Sequence, residues 1–351
     1  MAQIAVIAPE QHEPFIEGIQ KSARATIKEL ISLGHLVSVF SQYSYGEKIA
    51  DVNYVFSANK NKFAKYLSWF KDARKVTREI LKNNPEKIFV FSLDWSFLST
   101  LLLLKKQQSS AKITIFIFST RETGGLSGKF IASCKNSEKI TFWCFSQTIA
   151  GELRKLGISP EKITTSPVFF TQPKAVTPHK PKEANRQRIG YMSSSETGAG
   201  IDTMLFLAQQ LPEDEIVLAI RNFGERDEAR DENLLSKTQT FKNVAIERNL
   251  ADVPDFLSGM DVLVLPPKNT GSTMAIPLVA LEAKYAGCQV FVADLPSLRE
   301  LKQLGVADVF KDDTELLTLI NKQKANTKAQ EISRSLPGFL SVKEFVIRIT
   351  L

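Results

Sequence analysis

Twice along this chain, apolar runs of strand length alternate with longer segments patterned as helices, and a proline- and lysine-rich stretch separates the two series. Parallel strands cannot be joined by tight turns. Each needs a crossover, usually a helix, so the alternation predicts α/β architecture with parallel sheets. In the first series QIAVIAP reads as a strand buried on both faces. The next segment, GIQKSARATIKELISLG, sets Ile19, Ala23, Ile27 and Leu30 on one helical stripe, with Gly34 ending the helix and LVSVFSQ following as a strand. Further strands are expected within 87–93, 112–119, 141–146 and 162–168. The second series runs through RIGYMS, the helix of IDTMLFLAQQL, EIVLAIR, VAIERNL, DVLVLPP, a helix around Glu282, CQVFVAD and ADVFKD. Segment 172–187 carries three prolines and no periodic apolar pattern, which marks a linker.

A chain of 351 residues is too long for one ordinary core. Two Rossmann-like domains are expected, 1–172 and 188–335, joined by a linker at 173–187. The amphipathic tail 336–351 is expected to pack back toward the first domain. Open α/β sheets bind ligands beyond the carboxyl ends of their strands, so the loops just after each strand are the ones to read. The two sets of strand ends are expected to face each other across a cleft.

A net charge of +7 favours anionic partners. No zinc finger or aromatic RNA-binding strand appears, so nucleic acid is not an expected partner. The three cysteines, Cys134, Cys144 and Cys288, are scattered without a CxxC pair and read as buried thiols. No Asp-x-Asp or His cluster appears, so no metal is expected. The longest apolar run, FLSTLLLL, is about half the length that spans a bilayer, and no signal peptide opens the chain. The expected location is cytoplasmic. A second surface stands out at 59–83, where Phe63, Tyr66, Leu67, Trp69 and Phe70 interleave with lysines and arginines. From Lys60 to Lys82 there are eight basic residues against two acids. This segment is either an ordinary amphipathic helix with a basic outer face or a peripheral contact with the anionic inner face of a membrane.

The stretch GSTMAIPLVALEAKYAGCQVFVADLPSLREL holds the most specific chemistry. A helix starting near Ile276 and Pro277 leaves amides at Ala275, Ile276, Leu278 and Val279 aimed at whatever precedes it, with about half a unit of positive charge. A diphosphate suits that position. Glu282, a turn further in, is a two-oxygen acceptor suited to a ribose diol.

That stretch, with DVLVLPPKNT before it, resembles the nucleotide-sugar site of the family 4 retaining glycosyltransferases, which have the GT-B fold. HEPFIEGIQKSARATIKELISLGHLVSVFS is similar to the family's first βαβ unit. SQTIAGELRKLGISPEKITTSPV resembles the segment closing its first domain, and GYMSSSETGAGIDTML the one opening its second. The resemblance implies a first domain for the acceptor, with Glu17 and Gly18 on the acceptor side, and a second domain for the donor, with Glu282 as the ribose acid. It implies transfer of a hexosyl group from a nucleotide-diphosphate sugar, as substrate rather than cofactor, to a glycan or lipid-linked acceptor in polysaccharide synthesis.

Several positions depart from the family's pattern. The second acid expected eight residues before Glu282 is Met274, beside Thr273. The Arg and Lys expected on the donor loop fall at Ser193 or Ser194 and at Ala199. Hydroxyls and amides of Ser193, Ser194, Ser195, Thr197 and Gly198 offer an anion nest instead, and Arg221 and Lys268 are candidate replacement cations. No His follows the first domain's strand at 112–119. Ser119, Thr120, Arg121 and Glu122 stand there, leaving Glu122 and His12 as candidate catalytic groups. A GT-B protein that binds nucleotide sugar, glycan or a partner transferase without turnover is the alternative. An epimerase would need acids not found here, and a dehydrogenase a GxGxxG that the first strand lacks.

Overall fold

The computed structural model describes residues 1–9, 18–42, 52–56, 62–91, 93, 95–106, 110–166, 169, 186–194, 198–221, 236–248, 250, 252–270, 273–326 and 339–351. At 42, 52–56, 62–70, 95–96, 194, 221 and 326 only the backbone is described. The chain divides into two compact units, one of Met1–Thr171 with Leu340–Leu351 and one of Gln172–Phe339. The expected linker, 173–187, lies outside the described residues except for Arg186 and Gln187.

The first unit is built on strands β1 Gln3–Ala8, β2 Leu36–Gln42, β3 Val52–Phe56, β4 Lys87–Val90, β5 Lys112–Ile117, β6 Ile140–Cys144 and β7 Ile163–Thr165. They form one parallel sheet in the order β3-β2-β1-β4-β5-β6-β7. The crossovers are α1 Gly18–Ser32, α2 Lys62–Asn83, α3 Trp95–Lys106, α4 Gly125–Ser133 and α5 Gln147–Lys155. Ala23, Ile27 and Leu30 of the expected stripe are fully buried. Ile4 to Ala8 are buried without alternation, as a strand covered on both faces requires. Strand β3 was not expected: an edge strand with Asn53 and Tyr54 inside it has no clean period to read. The expected strand at 162–168 is short, only Ile163–Thr165.

The second unit holds β8 Arg188–Ser194, β9 Glu215–Arg221, β10 Val244–Arg248, β11 Val262–Leu265, β12 Gln289–Ala293 and β13 Asp308–Phe310. Its described pairings are also parallel, in the order β10-β9-β8-β11-β12-β13. Helices α6 Ile201–Gln210, α7 Val253–Ser258, α8 Leu278–Ala286 and α9 Arg299–Gln303 lie in the connections between them, and α10 Asp313–Asn326 follows β13. Ile189, Tyr191, Met204, Leu207, Val264 and Phe291 lie at the centre of the core.

Helix α11, Val342–Thr350, belongs to the first unit. Ser341 caps it with a capping box to Glu344. Its Phe345 is fully buried, stacked on Phe169 at 4.2 Å between ring centroids and edge-on to Trp143 at 5.6 Å, with Phe116 and Phe145 around it. Phe169 also makes a parallel bridge to Leu340. All three cysteines are buried. Among the described residues, no helix is long and apolar enough to cross a membrane.

Candidate functional site

In the second sheet the chain passes from β8 outward to β9 and β10, then returns to β11 on the other side of β8. The connections leaving these two neighbours diverge, and such a reversal is where open α/β sheets hold ligands. The bordering loops are tied together. The Lys268 amide donates to the Gly198 carbonyl at 2.8 Å. Beneath them Tyr191, buried on β8, donates its hydroxyl to the Ala199 carbonyl at 3.2 Å. Burial pushes the pKa of that hydroxyl up, so it stays a donor, and the Ser193 side chain hydrogen-bonds the same group. Gly200 caps α6 with φ +90°, and a Cβ there would lie 1.9 Å from the Pro266 carbonyl oxygen. The loop after β8 therefore rests directly on the backbone leaving β11, a fit that only glycine allows.

Beyond β11, Pro266 and Pro267 are buried, Thr273 and Met274 are half-buried, and Ala275 and Ile276 are almost fully buried. Helix α8 starts at Leu278, later than expected. Pro277 has an extended ψ of 125° and stands as the N-cap, making no side-chain cap hydrogen bond. Leu278 and Val279 therefore open the helix with amides that have no carbonyl a turn earlier in it. The Ala280 amide turns back to the Pro277 carbonyl at 3.0 Å. Gly287 ends the helix in the left-handed region, at φ 95°.

Glu282 is half-buried, on a stripe with Leu278 and Tyr285. Leu281 and Ala283, its neighbours in sequence, face the core with Ala280 and Ala286. The acid therefore borders its apolar neighbours and is not enclosed by them. Side chains on a helix lean toward its N-terminus, and four residues advance about 6 Å. The Glu282 carboxylate thus lies within about a turn of the opening amides.

The candidate cations are placed differently. Arg221 ends β9 opposite Ser194, at the carboxyl edge of the sheet, and both are described by backbone alone. Lys268 is exposed, with its Nζ 3.1 Å from the Oδ2 of Asp202, in the first turn of α6. The other oxygen of Asp202 lies 4.0 Å from Lys237 Nζ. Nothing in the sequence marks Asp202 or Lys237 as partners of Lys268, because sequence distance hides a contact made between loops. The signals for Gly200 and Tyr191 were present, as a second glycine just before a helix and an aromatic in the middle of a strand.

In the first unit the sheet reverses between β1 and β4, and Gly18 begins α1 in the connection leaving β1. His12 and Glu17, and Ser195 and Thr197 in the other unit, lie outside the described residues. Glu122 has a local structural role. Its Oε2 accepts the amides of Phe118 at 2.7 Å and Ser119 at 3.0 Å, capping the short 3-10 turn Thr120–Thr123. Both hydrogen bonds tie one oxygen of the Glu122 carboxylate to the backbone of this turn. Among the described residues no group of three or more His, Cys, Asp or Glu side chains is arranged to hold a metal ion.

Two such parallel α/β units in one chain make the GT-B architecture. No protein-family model matches the sequence, and no curated protein matches it. Solved structures do. A glycosyltransferase from Rickettsia africae is similar over 99% of this chain and 97% of its own, at 14% identity and a TM-score of 0.74. Anabaena Alr3699/HepE, solved in complex with UDP-glucose, is similar over 100% of this chain and 99% of its own, at 14% identity and a TM-score of 0.73. WaaG, a glycosyltransferase involved in lipopolysaccharide biosynthesis, is similar over 95% of this chain and 97% of its own, at 13% identity and a TM-score of 0.67.

Proposed function

We propose that this chain is a retaining glycosyltransferase of family 4 type, moving a hexosyl group from a nucleotide-diphosphate sugar to a glycan or lipid-linked acceptor. The observation that carries the reading is the helix start at Leu278, without a side-chain cap, with Glu282 on the same face a turn further in. The amides and the helix dipole meet the diphosphate, and the carboxylate takes the ribose hydroxyls. That spacing matches the step from phosphate to ribose in one nucleotide. The tied loops after β8 and β11 border the same diphosphate. In a retaining transfer of this kind the bond from the sugar's anomeric carbon to the diphosphate breaks, and the acceptor oxygen bonds that carbon on the same face. The acceptor's proton passes to a donor phosphate oxygen, so no protein nucleophile is needed. The solved neighbours, one holding UDP-glucose and one involved in lipopolysaccharide synthesis, support this substrate class.

The test is binding and turnover across a panel of nucleotide sugars with purified protein. Glu282→Gln is expected to weaken nucleotide-diphosphate binding by about tenfold to a hundredfold, the equivalent of one charge-assisted hydrogen bond. It should leave binding of a 2′,3′-dideoxy analogue unchanged. An equal loss on both ligands would remove the ribose assignment.

The second reading is a binding protein without turnover. It is favoured by Met274 where an acid would face the sugar, and by the occupied Glu122 carboxylate. Nucleotide-sugar binding without transfer in the presence of a cell-envelope acceptor extract would select it.

The proposed setting is the cytoplasmic face of a membrane, with α2 as the contact. Lys71, Arg74, Lys75, Arg78 and Lys82 are all exposed along one face of α2, while Ala73, Val76, Thr77 and Ile80 pack inward. The side chains of Phe63, Tyr66, Leu67, Trp69 and Phe70 lie outside the described residues. The variant Lys71→Gln with Lys75→Gln should lower partitioning onto anionic vesicles about thirtyfold, each lysine contributing about 1 kcal/mol. Pelleting that is equal for neutral and anionic vesicles would count against the contact.

A further inference from the structure

We infer that Lys268 and Lys237 form a cation pair for the anionic end of the ligand, and that Asp202 competes with that ligand for both. This rests on the nucleotide-diphosphate reading above and adds the charged groups that the donor loop itself lacks. The loop from Ser193 to Gly200 contributes no lysine or arginine. Positive charge reaches it from two other places. Lys268 leaves β11 behind the buried Pro266 and Pro267, and its amide is fixed to Gly198, so its backbone is anchored while its exposed side chain reaches out to Asp202. Lys237 arrives on the connection between β9 and β10. Their ammonium groups meet at one carboxylate, at 3.1 Å and 4.0 Å.

Asp202 suits a competitor's place. An acid in the first turn of α6 is held there by the helix dipole. One negative charge between two positive ones leaves the cluster with an unbalanced charge beside the tied loops. All three side chains are more than half exposed, and exposed ion pairs are weak. A diphosphate carries more charge than one carboxylate, so it displaces Asp202 from flexible lysines at little cost. With Asp202 gone, the lysines no longer have to be won from it.

Calorimetric titration of the full chain with UDP, ADP, GDP and inorganic pyrophosphate, at low and high salt, tests this. Lys268→Met is expected to weaken binding of the preferred diphosphate about tenfold and Lys237→Met about threefold, within the range for charge-assisted contacts. Asp202→Asn should tighten it about threefold, and more than Glu213→Gln, which removes one exposed acid elsewhere on the same unit. In Asp202→Asn combined with Lys268→Met the gain should shrink to the part that Lys237 contributes. All effects should shrink at high salt, and binding of the bare nucleoside should not change.

Diphosphate binding that both lysine substitutions leave intact overturns the inference and leaves the donor reading standing. Equal effects of Asp202→Asn and Glu213→Gln overturn the competitor role. If no nucleotide binds but pyrophosphate does, and Lys268→Met weakens it, the cation pair stands and the nucleotide reading falls. Absence of binding to any of the four probes overturns both.

Discussion

Gly200→Ala is expected to destabilise the second unit by about 2–5 kcal/mol, and to weaken nucleotide binding beyond what the loss of stability explains. Two costs add. A left-handed backbone costs an alanine about 1–2 kcal/mol, and Gly200 has φ +90°. The new methyl would also stand 1.9 Å from the Pro266 carbonyl oxygen and 2.6 Å from its carbon, which are backbone atoms and cannot rotate away. Overpacking of this kind costs about 1–3 kcal/mol. Gly305→Ala separates the two, since Gly305 has φ +68° but a Cβ there would meet nothing within 4 Å. It should show the backbone cost alone. In thermal melts the Gly200 variant should fall by about 5–15 °C and the Gly305 variant by a few degrees. Equal shifts would mean that the loops yield to each other freely, and the tied site would lose its rigidity.

Phe345→Ala is expected to cost the first unit about 3–5 kcal/mol. The ring is fully buried against Phe169, Trp143, Phe116 and Phe145. Truncation leaves a cavity lined by rigid aromatics, which collapse poorly into empty space. Ile347→Ala on the same helix removes a side chain that is 41% exposed and should change stability by about 0.5 kcal/mol or less. Chemical denaturation followed by tryptophan fluorescence reads the difference, because Trp143 lies against the deleted ring. Similar losses for both variants would mean that α11 contributes through its backbone and caps, not through its aromatic anchor.

The strands were legible where burial on both faces writes a continuous apolar run, as in QIAVIAP and DVLVLPP. Strand β3 was not, because an edge position tolerates Asn53 and Tyr54 and so carries no periodic signal. The nucleotide half of the site was legible through local rules, a proline before a helix and an acid within it. Its details were not. Pro277 sits one place outside the helix because its ψ is extended, and sequence does not report that angle. Glu282 borders the core while Leu281 and Ala283 beside it are buried, since adjacent residues on a helix point about 100° apart. The pairing of Asp202 with Lys268, 66 residues apart, depends on two loops meeting, and no local pattern encodes it.

The aromatic pocket under α11 also has a consequence for the order of events during synthesis. Phe116, Trp143, Phe145 and Phe169 leave the ribosome early, yet the ring that fills the space between them arrives only after the whole second unit has been translated. At cellular elongation rates that delay is roughly 10–30 s. Through that interval the growing first unit presents an unfilled aromatic socket to its surroundings. A chaperone that recognises exposed aromatics should therefore bind nascent chains stalled before residue 340, and release them once α11 docks.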